Sequence, residues 1–154
     1  MTRLVRNTLA GILIAVVIGI ISLFLLLLGA ALYGRQAEIR AGNEAATAQN
    51  LKTIAAVEAQ YYHAHARTFG TFPQLVSEQL LSRKFDRDPV TADGYVLTLI
   101  ALPGNTSARS SYTVRADPLD REQGTNHFYL NSESDQIRVN AEQPAGPNDQ
   151  ILDR

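Results

Sequence analysis

The stretch Ala45-Ala-Thr-Ala-Gln-Asn-Leu-Lys-Thr-Ile-Ala-Ala-Val-Glu-Ala-Gln-Tyr-Tyr62 decides the fold of this chain. It is rich in Ala and straight-chain residues, which favour helix. Leu51, Ile54, Ala55, Glu58, Tyr61 and Tyr62 recur at helical spacing and make one mostly apolar stripe. Gln49, Asn50, Lys52 and Thr53 lie largely off it. Such a stripe has to be laid against another element. Residues 35–66 read as this helix, and Gly42-Asn43 is where a bend or break is expected.

Upstream, the 28 residues from Asn7 to Gly34 include no Asp, Glu, Lys, Arg or His. A bilayer-spanning helix needs about 20 apolar residues, so the run Thr8–Tyr33 is long enough with some to spare. Only a helix satisfies its own backbone in hydrocarbon, which forces helix despite frequent β-branched residues. Tyr33 falls where an interfacial aromatic sits. The rival is a cleaved signal peptide. Its apolar core is normally about 7–15 residues, which is shorter than this one, although Gly29 and Ala31 offer a small-x-small site. Arg3, Arg6 and the amine flank one end; Arg35 and Arg40, mixed with Glu38 and Glu44, flank the other. That favours the N-terminus in the cytoplasm and residues 35–154 outside. A helix unbroken from residue 8 to about 66 would measure roughly 85–90 Å. Gly11, Gly19 and Gly29 do not make a GxxxG dimer face.

Downstream, Gly70 and Pro73 punctuate Thr68-Phe-Gly-Thr-Phe-Pro73 and turn the chain. Pro73 suits the first turn of a short helix through Leu81. Phe69, Phe72, Leu75, Val76, Leu80 and Leu81 are expected to close over the stripe. Asp86-Arg-Asp-Pro89 and Asp93-Gly94 signal further turns. Tyr95–Ala101, Ser111–Ala116, His127–Leu130 and Gln136–Val139 alternate as short strands, with Tyr112 and Val114 inward. Helix first and strands after gives an α+β class: a long N-terminal helix packed against a small antiparallel sheet of 3–4 strands. The expected organisation is a membrane anchor with a short cytoplasmic stub at 1–34, an extracytoplasmic domain at 35–140 and a flexible tail at 141–154. There is no internal repeat.

Composition narrows the function. The chain has 154 residues with 14 Lys+Arg against 15 Asp+Glu, and only Arg3 and Arg6 of these fall in residues 1–34. The remainder is mildly acidic and has no basic cluster, a poor basis for nucleic-acid binding. Cysteine is absent, which excludes disulfides, zinc-thiolate sites, thiol catalysis and acylation at cysteine.

This order of parts resembles the type IV pilin and pseudopilin superfamily. Asn43–Tyr62 is similar to the helix of bacterial pilin-like proteins, and Gly70-Thr-Phe-Pro-Gln-Leu75 to their Gly-x-aromatic-Pro-x-Leu step. Ser111–Pro118, Gly124, His127–Asn131 and Gln136–Arg138 resemble their closing hairpin. The resemblance covers residues 40–140. It implies a non-enzymatic, single-pass protein of the bacterial inner membrane with a periplasmic or extracellular domain. Its implied role is a structural, assembly or interaction one in a type IV pilus or type II secretion-like envelope system. The implied partners are the lipid bilayer and other pilin-like or secretion-system subunits. The family's processing and assembly signal, Gly-Phe-Thr-Leu-x-Glu, meets Arg6-Asn7-Thr8-Leu9-Ala10-Gly11 here, and only Thr8 and Leu9 agree. Arg6 replaces the cleavage glycine, and Gly11 replaces the glutamate that pairs with a neighbouring subunit's amine. A carboxylate in lipid is costly unless paired, so its loss removes an attraction that sets subunit register. An uncleaved, anchored pilin-like domain is therefore expected.

No catalytic, cofactor or metal residue is assigned. Glu58, His63 and His65 suggest metal, but Glu58 and His65 share a helix face that His63 does not, and zinc needs three or four converging ligands. Asp117, Asp120 and Glu122 sit in a loop; some secretion pseudopilins bind calcium in such a place, but the spacing is not that of alternating calcium ligands. Asn105-Thr-Ser107 fits the glycosylation pattern and reads more simply as a turn with Pro103 and Gly104. No nucleophile elbow, phosphate loop, HExxH helix or dinucleotide fingerprint is present. Ser110, Ser111, His127 and Asp117 make a triad only if geometry brings them together. The alternative function is a membrane-anchored ligand-binding or sensory module, which needs a pocket near Tyr62, Phe69 and Phe72. The Tyr61/Tyr62 pair reads as core edge.

Overall fold

The structure, a computed structural model, describes residues 2–153, with the side chains of 2–12, 14 and 135 outside the described set. The Arg3/Arg6 flank and the Arg6–Gly11 motif thus fall on side chains outside it. The chain is α+β, one long helix followed by a six-stranded antiparallel sheet. Contacts divide it into two compact units, Met1–Glu38 and Ile39–Arg154.

The first unit belongs to helix α1 (Thr2–Ala64). Leu13 and the large apolar residues between Val16 and Leu32 are all substantially exposed, as is Tyr33. By length and composition this helix can cross a membrane; a signal sequence near an N-terminus meets the same measure.

In the second unit α1 carries the core stripe. Leu51 and Ile54 are completely buried, Glu58 is 0% exposed and Tyr61 nearly so, while Ala55 and Val57 pack at the margin. Helix continues through Gly42-Asn43, where a break was expected. The Asn43 carboxamide donates to Gln123 O at 2.9 Å and to Gln123 Oε1 at 3.0 Å, so tertiary bonds hold the weak point. After Ala64 the chain turns through Ala66 and Arg67, both at positive φ. Helix α2 (Phe72–Ser77) follows, with Pro73 in its first turn and Gln74 Oε1 accepting the Thr71 amide at 2.8 Å. It stops short of the expected Leu81. Gln79 takes a left-handed φ of 62°, and a 3-10 turn at Arg83–Phe85 completes the segment.

Strands β1 (Val90–Ala92), β2 (Tyr95–Leu102), β3 (Ser111–Pro118), β4 (His127–Asn131), β5 (Ser134–Asn140) and β6 (Gln150–Ile151) lie in sequence order, each antiparallel to the next. Two were not read from the sequence, because runs of three and two residues are too short to show alternation. β1 and β2 are joined by Asp93 and Gly94, both at positive φ, the backbone of a two-residue hairpin. β6 lies where a flexible tail was expected. It pairs with Arg138 and Val139, Leu152 packs on the core, and Ala145 is buried. Inward Tyr95, Leu97, Leu99, Tyr112, Val114, Ala116, Phe128, Leu130 and Ile137 meet the α1 stripe, with Phe72, Leu75, Leu81 and Phe85 closing the remaining side. Burial of this apolar set, at about 25 cal/mol per Å2, is the main force holding sheet to helix.

Candidate functional site

Glu58 is a carboxyl in an otherwise apolar stripe. Its Oε2 accepts the Gly70 backbone N–H at 2.9 Å, while Oε1 accepts no hydrogen bond from the described residues. Burial pushes the carboxyl up to about 7, against a smaller lowering by the Gly70 bond. Gly70 itself is buried; a Cβ there would lie 3.0 Å from Leu75 Cδ2 and 3.3 Å from Tyr61 Cδ1. The carboxyl thus fastens the turn after α1 to the helix before it. General acid–base chemistry uses carboxyls raised in this way, but it also needs contact with a substrate, and Glu58 has no exposed surface.

The surroundings brace the same joint. The Tyr61 and His65 rings stack at 3.8 Å, and His65 Nε2 lies 3.1 Å from Glu78 Oε1. Burial first, then Glu78 and Glu58, raises the Tyr61 phenol above its ordinary value. Tyr62 stacks on Phe69 at 4.7 Å, and Phe69 meets Tyr112 edge-on at 4.8 Å. Helix end, turn and β3 are joined by this aromatic run, each pair adding about 0.5–1.5 kcal/mol beyond area burial.

At the other end of the globular unit, Glu44 accepts from Thr125 N, Thr125 Oγ1, Asn126 N and Asn126 Nδ2, at 2.7–3.3 Å. Tyr95 Oη donates to Asn126 O at 2.9 Å; burial, and secondarily Glu44, raises this phenol. Along the helix, Asn50 and Lys84 converge on Asp93 Oδ2 at 2.7 and 3.3 Å. The Asn50 bond foremost, then Lys84, holds Asp93 below the usual carboxylate range against the opposing effect of burial.

The sequence candidates disperse. Glu58 is committed to Gly70, His65 to Glu78 and the Tyr61 carbonyl, and His63 is exposed. Among the described residues no group of three or more His, Cys, Asp or Glu is arranged to hold a metal. Asp120 Oδ1 accepts the amides of Glu122 and Gln123, which folds the acidic loop on itself, and Asp117 pairs with His127 across β3 and β4. Ser110 Oγ donates to Arg67 O, and Ser111 opens β3 while Asp117 lies near its other end, about 20 Å away at 3.3 Å per residue. The imagined triad is therefore split. Asn105 Oδ1 accepts the amides of Ser107 and Ala108, making the turn its sequence suggests.

Where an apolar pocket was sought, Phe72 is completely buried and the half-buried Phe69 packs against the core. Tyr62 instead borders an open, mostly polar groove of about 490 Å3 with Arg67, Asn105 and Arg109. The four-donor acceptor Glu44 was not read as a site residue; its partners lie about 80 positions away, and no local pattern announces such a pairing. Glu58 did carry a signal, as a carboxyl on an apolar stripe. Comparison with known protein families, characterised proteins and solved structures gives no match to this chain.

Proposed function

We propose that the chain is a non-enzymatic, membrane-anchored, pilin-like protein with a structural or interaction role in a pilus- or secretion-like envelope assembly. In this reading residues 8–33 stay in the bilayer, the N-terminus is cytoplasmic and the Ile39–Arg154 unit stands outside. The observation that carries it is the double use of α1: an apolar stretch, residues 15–34, that is exposed at every position and a later part that is the buried spine of a sheet domain. Cutting after Ala31 would leave that spine intact, so the distinction between anchor and leader rests on processing. Intact mass and N-terminal sequencing of the protein from membranes test it. Retention of residues 8–33 supports the anchor, and a chain starting downstream of Ala31 defeats it.

A second reading, a ligand-binding module on the same anchor, draws on the Tyr62–Arg67–Arg109 groove. Its two arginines suit anionic ligands. Thermal shift of the full chain against metals and small anions separates the two; no shift across the panel removes the second.

A further inference from the structure

The two edges of the sheet are finished differently. At the β5 edge, β6 pairs with Arg138 and Val139, and the Leu152 amide donates to Ile137 O at 2.8 Å. At the opposite edge, β1 reaches only Tyr95–Leu97 of β2. β2 runs on through Thr98–Leu102, with β3 on one side and, among the described residues, no strand on the other. Ile100 and Leu102 alternate with the buried residues of β2 and are 52% and 57% exposed. Sheet edges are commonly blunted by lysines, prolines, bulges or a covering segment. Here Gly94–Ala108 has no Asp, Glu, Lys or Arg, and its proline, Pro103, comes after the strand.

We propose that Thr98–Leu102 is a docking edge for a second copy of this chain, joined antiparallel about Ile100 so that two sheets become one. A free row of N–H and C=O groups is best satisfied by another extended strand. Antiparallel joining of a strand to itself is two-fold symmetric, so each copy offers and receives the same surface. Ile100 then faces Ile100, Leu102 faces Thr98 and Leu99 faces Ala101, apolar or neutral at every position. The uncharged run brings no repulsion to this self-pairing and gives a charged partner nothing to pair with. A five-residue ladder falls well short of the ~800 Å2 per partner of a standard interface. Confinement of two copies to one membrane raises their effective concentration and offsets this, a point that rests on the anchor reading. The pairing itself uses only the Ile39–Arg154 unit.

The absence of native cysteine makes the test direct. Directly opposed antiparallel residues have Cα atoms about 4.5–5.5 Å apart, within disulfide reach. Full-length Ile100→Cys, oxidised mildly in membranes, is expected to give disulfide-linked dimer at about ten times the yield of Glu133→Cys, placed on the exposed β4–β5 turn. Adding Thr98→Lys and Leu102→Lys opposes like charges in this register and should abolish the dimer; Thr98→Lys with Leu102→Glu should restore it. Equal cross-linking of Ile100→Cys and Glu133→Cys, or no loss with the two lysines, overturns the proposal. The same oxidation is run on any chain recovered in the soluble fraction. Recovery there counts against the anchor, while the Ile100 cross-link still decides the pairing.

Discussion

The Gly70 amide donates to Glu58 Oε2 at 2.9 Å, a bond across twelve positions that closes the turn leading from the helix toward the sheet. It is the hydrogen bond that this buried carboxyl accepts, with its other oxygen left to an apolar setting. A charge there is expensive, so the joint favours a neutral acid.

Stability should therefore depend on the proton of Glu58. The folded value, about 7, lies above the ordinary 4.5, so the folded state holds the proton more tightly. The contribution is full below about pH 4.5, is lost as pH rises toward about 7 and is flat beyond. The loss is on the order of 3 kcal/mol at about 1.4 kcal/mol per pH unit. Denaturant titrations from pH 4 to 8 check this as the difference between the native chain and Glu58→Gln, which cannot titrate. Parallel pH profiles for the two would contradict it.

Gly124 is expected to tolerate no side chain. A Cβ there would lie 2.6 Å from Tyr95 Cζ, and that ring is completely buried. Gly124→Ala should cost about 1–3 kcal/mol through overpacking, read as a lower denaturation midpoint with an unchanged slope. Gly42→Ala, where nothing lies within 4 Å of the added carbon, is the control and should not destabilise.

Loss of the Glu44 carboxylate should loosen the loop before β4. Glu44→Ala strips acceptors from the Thr125 and Asn126 amides. Amide exchange at those two positions should rise about tenfold or more, corresponding to about 1.4 kcal/mol of local protection, with β2 and β3 amides much less affected.

Removing residues 149–154 should destabilise the β5 edge. Asp149 O accepts from Arg138 Nη1 at 2.8 Å, Asp149 Oδ1 accepts from Asn140 Nδ2 at 3.0 Å, and Leu152 covers part of the core. A loss of about 1–3 kcal/mol is expected, with faster exchange in Arg138 and Val139; an unchanged melting curve would contradict the docked tail.

What the sequence revealed followed the length of its signals. The Leu51–Tyr61 stripe and the alternation at Tyr112 and Val114 extend over several turns or residues, and the structure buries those positions. β1 and β6 are too short to alternate, and β6 follows a stretch rich in Pro, Gly and Asn that reads as loose until its partner Val139 is in place. Gly42-Asn43 looked like a break because helix propensity is local, whereas the Gln123 contact that holds it is not. Glu58 stood out on its stripe, but nothing near it in sequence named Gly70 as its partner.

In the proposed reading the apolar segment remains joined to the helix that forms the spine of the sheet domain. Carbonate extraction of native membranes, followed by intact mass of the recovered chain, tests it most directly. A carbonate-resistant, detergent-soluble species that retains residues 8–33 is expected. A carbonate-soluble chain beginning downstream of Ala31 would contradict it.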